Sequence, residues 1–260
     1  MSTGDWNPEL YRRFEDERTR PARELLARVA LAAPAHVYDL GCGPGNSTEL
    51  LVERFPDAAV IGTDNSEAML ASARERLPKQ RFELSDIASW HAQAPADLIY
   101  SNAALQWVGD HAVLVPRLFA QLAPGGVLAI QMPDNRDEPT HRAMREVAGL
   151  APWSAWISDA AKLRTKILAI TDYYDLLTAR GAEVDVWRTA YQHPMGSPAK
   201  IVEWVRGTGL KPFVDPLPDA ERETFLAEYE AHIARAYPKR ADGRRLLQFP
   251  RMFIVARRPA

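Results

Sequence analysis

The sequence predicts an α/β protein built around a Rossmann-like, mostly parallel sheet. Three observations carry this. Short apolar, β-type runs alternate with stretches of helical spacing through the first half. A glycine-rich stretch, YDLGCGPGNST (38–48), joins the first apolar run to the first helical one. Acids fall at the ends of three successive runs, as Asp39, Asp64 and Asp86.

The elements follow in order. AHVYDL (35–40) reads as the first strand, and 46–55 as a helix with Leu50, Leu51 and Phe55 on one side. AAVIGTD (58–64) is the second strand, and SEAMLASARERL (66–77) is a helix with Ser66 as its N-cap. QRFELSD (80–86) and ADLIYSN (96–102) are strands three and four. HAVLVPRLFAQL (111–122) is helical until APGG stops it, and GGVLAIQM (125–132) is strand five. Right-handed crossovers bring the C-terminal ends of parallel strands to one edge, where ligands bind. In the second half TDYYDLLTARG (171–181), AKIVEWVRGTG (199–209) and DAERETFLAEYEAHIARAY (219–237) read as helices, and EVDVWRTAYQ (183–192) and RMFIVARR (251–258) as strands. No linker or repeat divides the chain. The expected organisation is one domain over 1–260: N-terminal lid helices (1–30), a cofactor-binding core (31–134) and helical cap insertions (135–170 and 195–248).

Composition narrows the function. The net charge of −2 on 260 residues gives no global attraction to nucleic acid or membrane. No apolar run approaches the roughly 20 residues that span a bilayer. The N-terminal stretch has no apolar core of the kind a secretory signal carries, so a cytoplasmic protein is expected. The single cysteine, Cys42, and six scattered histidines lead us to expect neither an internal disulfide nor a metal. A monomer or weak homo-oligomer acting on a small molecule is the expectation.

The glycine turn alone fits several nucleotide ligands. A dinucleotide fingerprint needs glycine at its sixth position, inside the helix. Here that position is Asn46, and Asp39 precedes the first glycine. A carboxylate so close repels a pyrophosphate but suits a cationic or zwitterionic ligand. Asp64 is placed to accept from ribose hydroxyls, and Asp86 from an adenine amine with Ile87 against the ring. This set fits S-adenosylmethionine better than NAD(P). Cys42, inside the turn with no histidine beside it in sequence, is expected to fill space and not to act as a nucleophile.

DLGCGPGNST, Asp64, SDI, DLIYSNAALQW and LAPGGVLAIQMPDN resemble the class I S-adenosylmethionine-dependent methyltransferases. DWNPELY, QMPDN, EPTH, YYDLL, DVWRT, GTGL and FPRMFIVARR narrow the resemblance to trans-aconitate 2-methyltransferases, nearly end to end. The resemblance implies a seven-stranded sheet whose last strand, 251–258, runs antiparallel, with helical lids. It implies S-adenosylmethionine as cofactor and a monomethyl ester of trans-aconitate as product. On the cofactor it places Gly41, Gly43 and Asn46 of the turn, with Asn65 and Met69 following Asp64. It also places there Asn102 and Ala103 after strand four and Arg18 near the methionine carboxylate. A different small-molecule acceptor, a dehydrogenase and a non-enzymatic S-adenosylmethionine-binding regulator remain as alternatives.

A carboxylate acceptor has an ordinary pKa near 4 and is ionised at neutral pH, so no general base is needed. The requirements are alignment, exclusion of water and a grip on the acceptor's other carboxylates. Arginine meets a carboxylate with a planar fork. The candidates are Arg145, Arg188 and Arg251, with His141 four residues before Arg145 and Tyr191 beside Arg188. Gln106 and Trp107 are expected on the wall near the reacting centre, and Tyr11 in a lid over the methyl group.

Overall fold

Residues 15–157, 167–207 and 209–260 are described in a computed structural model, their side chains from Thr19 onward. Tyr11 lies outside these residues, as does the side chain of Arg18.

In chain order the elements are α1 (Glu15–Ala27), β1 (His36–Leu40), α2 (Asn46–Arg54), β2 (Ala59–Asp64), α3 (Glu67–Arg76), β3 (Arg81–Leu84), β4 (Ala96–Asn102), α4 (His111–Phe119) and β5 (Leu122–Pro133). Then come α5 (Pro139–Ala148), α6 (Ile170–Thr178), β6 (Glu183–Met195), α7 (Pro198–Arg206), α8 (Lys211–Val214), α9 (Asp219–Ala236) and β7 (Arg245–Arg257). Short 3-10 turns occupy Leu105–Trp107 and Trp153–Ala155.

The seven strands are ordered β3-β2-β1-β4-β5-β7-β6. The four neighbouring pairs among β1–β5 are parallel, and β7 is antiparallel to β5. The expected antiparallel last strand is present, but it starts at Arg245, six residues before the predicted 251. Pro250 has no N–H to give, yet its carbonyl accepts from Asp134 N–H at 3.0 Å, so pairing continues through it. Strand β5 likewise starts early, at Leu122, because a register shift between Ala96 and Leu98 lets Ala96 pair with Leu122. Ser66 caps α3 as read from the sequence, its hydroxyl accepting from Met69 N–H at 3.4 Å.

The chain divides into two compact units, with boundaries inside β6 and β7. The first holds β1–β5, α1–α4, α6, the start of β6 and Arg251–Ala260. Its core joins Leu40, Ile99, Leu128 and Ile130 of the sheet to Leu118 of α4 and Leu177 of α6. Burying each such side chain stabilises the fold by about 1.5–3 kcal/mol. The second holds α5, α7–α9 and Thr189–Pro250. Within it Phe225, Tyr229 and Ile233 recur at every fourth position of α9 and are fully buried. Tyr229 donates its hydroxyl to the Thr140 carbonyl at 3.2 Å, tying α9 to α5.

Candidate functional site

The glycine turn sits at the C-terminal end of β1. Gly41 and Cys42 both donate their N–H to the Thr63 carbonyl, at 2.8 and 2.9 Å, which pins the turn to β2. Gly41 has φ +71°, and a Cβ there would fall 2.2 Å from Ala104 Cβ, so the loop after β4 approaches too closely for any side chain. Gly43, at φ +54°, is different: a Cβ there would meet nothing within 4 Å. That side of the turn is open. Cys42 is buried with Leu70, Ala73 and Phe82, and burial pushes its thiol pKa well above the ordinary range. It fills space, as expected.

Asp39 is completely buried. Its Oδ2 accepts from the Ser47 and Thr48 hydroxyls, both at 2.7 Å, across the first turn of α2. Its Oδ1 is buried with no hydrogen-bond partner. Burial raises the carboxyl pKa to about 6, against the lowering effect of the Thr48 and Ser47 hydroxyls and with a smaller push from the Asp64 charge. Asp64 is half-buried and bridges two elements: Oδ2 accepts from Gly43 N–H at 2.9 Å and Oδ1 from Ser66 N–H at 3.0 Å. Burial raises its pKa too. The Asn65 N–H also favours the ionised form, and the carboxylate keeps lone-pair capacity for a further hydroxyl donor.

Beyond β3, Asp86 is exposed and Oδ1 accepts from Ala88 N–H at 2.8 Å, closing a tight turn. Ile87 is buried, and its Cδ1 lies 3.4 Å from where a Gly41 Cβ would be. Arg117 of α4 holds this loop by donating to the carbonyls of Ile87, Ala88 and Trp90. Asn65 is exposed and Met69 is buried on α3.

After β4, Ala103 takes φ +56° and donates its N–H to the Gln131 carbonyl at 2.9 Å. Gln106 is buried, and its Nε2 donates to the Ala103 carbonyl at 2.6 Å. Asn102 Oδ1 and Gln106 Oε1 are buried without partners. Trp107 is half-buried. His111 sets the height of this turn. Its Nε2 faces the Leu105 and Val108 carbonyls at 2.9 and 3.0 Å. Carbonyls only accept, so Nε2 carries the proton and Nδ1 accepts from the Tyr173 hydroxyl of α6. Burial lowers the His111 pKa, so the ring is held neutral. On the other side, the Tyr100 hydroxyl donates to the Ala22 carbonyl at 2.7 Å, fixing α1, the helix that carries Arg18.

The anion-binding candidates separate. Arg251, only 4% exposed, belongs to the first unit and donates Nη1 to Gln131 Oε1 at 3.1 Å. Arg188 is exposed on β6. His141, Arg145 and Tyr191 belong to the second unit. His141 is buried beside Gly209, where a Cβ would lie 2.8 Å from Nε2. Arg145 is half-buried and donates to the Arg136 carbonyl at 2.9 Å. Tyr191 is buried and stacks on His193, with ring centroids 6.3 Å apart.

Sequence reasoning missed Ser47 and Thr48, Arg117, the His111–Tyr173 pair and Gln131. Only the first two had a local signal: hydroxyls in the first turn of a helix, eight and nine residues after an acid. Among the described residues no group of three or more His, Cys, Asp or Glu is placed to hold a metal ion. No helix among them is long and apolar enough to cross a membrane.

A cluster of buried acceptors around an open glycine turn suits a nucleoside that carries positive charge. Comparison with known proteins agrees in kind. Residues 37–126 match the family described as a methyltransferase domain. The chain is 70% identical over 257 residues to a trans-aconitate 2-methyltransferase of Variovorax paradoxus, covering 98% of this chain and 99% of that one. It is 71% identical over 259 residues to the enzyme of that name from Paracidovorax citrulli, with the same coverage of 98% and 99%. Among solved structures, the YcgJ protein of Bacillus subtilis shares the fold at a TM-score of 0.59 and 14% identity, covering 93% of this chain and 99% of that one. A phosphoethanolamine N-methyltransferase of Haemonchus contortus, solved with S-adenosyl-L-methionine, shares it at 0.55 and 16%, covering 93% of this chain and 53% of that one. By sequence over nearly its whole length, this chain belongs to the trans-aconitate 2-methyltransferase family.

Proposed function

We propose that this protein transfers a methyl group from S-adenosylmethionine to one carboxylate of trans-aconitate, giving a monomethyl ester and S-adenosylhomocysteine. The observation that carries the cofactor is the buried Asp39 Oδ1, without a hydrogen-bond partner on the strand that leads into the glycine turn. An acceptor so placed calls for a cationic N–H donor, which the cofactor's α-ammonium provides. The acceptor substrate comes from relatives of that name at 70% and 71% identity.

When bound, the cofactor supplies an electrophilic methyl group on a sulfonium. The remaining work falls to the chain. Asp39 takes the ammonium, Asp64 the ribose hydroxyls, and Asp86 with Ile87 the adenine. Asn65, Met69, Asn46 and Arg18 complete the proposed cofactor set. Asn102, Ala103, Gln106 and Trp107 lie on the turn that His111 holds in place, and shape the wall beside the methyl group. Tyr11 is proposed to cover it. The neutral His111 is committed on both nitrogens and takes no proton from the acceptor. None needs to be taken, because a carboxylate acceptor is already ionised at neutral pH. Arg145, Arg188 and Arg251 are proposed to hold carboxylates, with His141 and Tyr191 as further substrate contacts. The protein is proposed to work in the cytoplasm as a monomer or weak homo-oligomer, as one domain with helical caps.

The test is incubation with methyl-labelled S-adenosylmethionine and a panel of di- and tricarboxylic acids. Base-labile label on trans-aconitate is the expected result. Label found only on amines or nucleic acid rejects the reading. Label on a different acid keeps the chemistry and changes the acceptor. Replacing Arg145, Arg188 and Arg251 together by Ala should raise the KM for trans-aconitate, and an unchanged KM removes the arginines from the site.

A further inference from the structure

We infer that Gln131, not an arginine, contacts the reacting carboxylate of the acceptor, donating to it from Nε2 while Arg251 holds the other end of the same amide. The inference rests on the methyl transfer to a carboxylate proposed above. Gln131 is fully buried near the C-terminal end of β5, with Arg251 Nη1 donating to its Oε1 at 3.1 Å. A guanidinium can only donate, so this contact fixes which amide atom is the oxygen. Nε2 is then the amide nitrogen, and it is buried with no partner. Buried donors rarely go unsatisfied, and one at the ligand edge of a sheet marks the place of a ligand acceptor.

The surroundings say which ligand group. Gln131 pairs in register with Asn102 of β4, so their side chains stand on the same face. The Gln131 carbonyl accepts from Ala103 N–H, and the Ala103 carbonyl accepts from Gln106 Nε2. The partnerless atoms of Asn102 and Gln106 are both oxygens, whereas that of Gln131 is a donor. Among the buried partnerless atoms of this group, only that of Gln131 is matched to an anionic oxygen. The ligand carboxylates are those of the acceptor and the one on the cofactor's amino-acid part. Asp39 and the open side of Gly43 claim the amino-acid part at β1. Gln131 lies two strands away in the order β1-β4-β5, about 10 Å at the usual strand spacing. The acceptor's carboxylate is therefore the one assigned to it.

The chemistry favours an amide at this point. A guanidinium fork laid directly on the reacting oxygens would neutralise the charge that attacks the methyl carbon. A neutral N–H orients the carboxylate and leaves its charge in place. Arg251, bonded to the amide oxygen, polarises the N–H and sharpens it as a donor. Gln131 thus aligns the nucleophile while the positive charge stays one group away.

The experiment compares Gln131→Met and Gln131→Glu with wild type by steady-state kinetics, calorimetric binding of S-adenosylhomocysteine and thermal melting. Gln131→Met keeps the shape and removes the donor. Its kcat/KM for trans-aconitate should fall about 30-fold or more, with S-adenosylhomocysteine affinity within about twofold of wild type. Gln131→Glu pairs with Arg251, keeps the fold and repels the substrate, so the KM for trans-aconitate should rise about tenfold or more. Unchanged kcat/KM in Gln131→Met overturns the inference. So does a tenfold loss of S-adenosylhomocysteine affinity with an unchanged acceptor KM, which would move the amide to the cofactor's carboxylate. Unfolding of both variants makes Gln131 a structural residue and overturns it too. If wild type labels a different carboxylic acid, the same comparison is run with that acid. If it labels none, the proposed reaction has failed on its own.

Discussion

Replacing Asp39 by Asn should make the ligand-free protein more stable and its cofactor binding weaker. Burial moves this carboxyl from its ordinary 3.8 to about 6, even with two hydroxyls bonded to Oδ2. At about 1.4 kcal/mol per pH unit, holding it ionised at neutral pH costs the folded state roughly 3 kcal/mol. The sign follows from proton counting. Between pH 4 and 6 the folded state keeps the proton that the unfolded state has released, so this carboxyl makes wild type lose stability as pH rises through that window. The amide of the Asp39→Asn variant does not titrate. The variant's advantage over wild type should be near zero below pH 4 and reach about 3 kcal/mol above pH 6, or roughly 6 °C in melting temperature for a chain of this size. The amide also lacks the charge proposed above to meet the cofactor's ammonium. A hydrogen bond to a charged group is worth about 1.5–3 kcal/mol, so S-adenosylhomocysteine affinity should fall roughly 10- to 100-fold. Denaturant titrations from pH 4 to 8 and calorimetric binding at pH 7.5 read both effects. If Asp39→Asn follows the wild-type pH profile, or binds the product with wild-type affinity, the account of Asp39 is wrong.

Other expectations follow from single contacts. Gly41→Ala should disrupt the turn, since its Cβ would lie 2.2 Å from Ala104 Cβ. Gly43→Ala meets no atom within 4 Å, so its folding cost should stay near the roughly 1–2 kcal/mol of left-handed strain, with most of the damage in product affinity; melting and calorimetry separate the two. Arg117→Met should loosen the 87–90 loop, weaken S-adenosylhomocysteine and reduce its preference over the inosine analogue, read by competition binding. Tyr173→Phe leaves the buried His111 Nδ1 without its hydroxyl donor and should cost about 1–3 kcal/mol in urea unfolding. His111 has a lowered pKa, so its contribution to stability is present above pH 6.5 and is lost as pH falls. This runs opposite to Asp39, and His111→Gln in the Asp39→Asn background should flatten it.

Much of the fold was legible because local signals agreed. Strand β4 matches ADLIYSN at both ends, and Ser66 caps α3 as its position before an apolar helix implied. The start of β7 was missed because Pro250 reads as a strand break, although only its absent N–H is lost to pairing. Of 135–170, the structure shows α5 and the short turn Trp153–Ala155, while 158–166 lie outside the described residues. Within the candidate site, the positions of Asp39, Asp64 and the glycines were legible because each lies within a few residues of a strand end. Arg117 was not: it acts on carbonyls 27 to 30 residues away, and an arginine on a helix looks the same whether it faces water or a loop.

The sequence by itself determined the order of the elements, the glycine turn, the acids at three strand ends and, through them, the class of ligand. These are properties of short windows, set by backbone sterics, side-chain period and charge. Tertiary structure decided how those parts are used. It buried Asp39 with one oxygen satisfied and one left over, opened Gly43 while closing Gly41, and set Arg251 on the amide of Gln131 across 120 residues of chain. Such choices depend on which groups lose water together and which find partners, and only the assembled sheet fixes that.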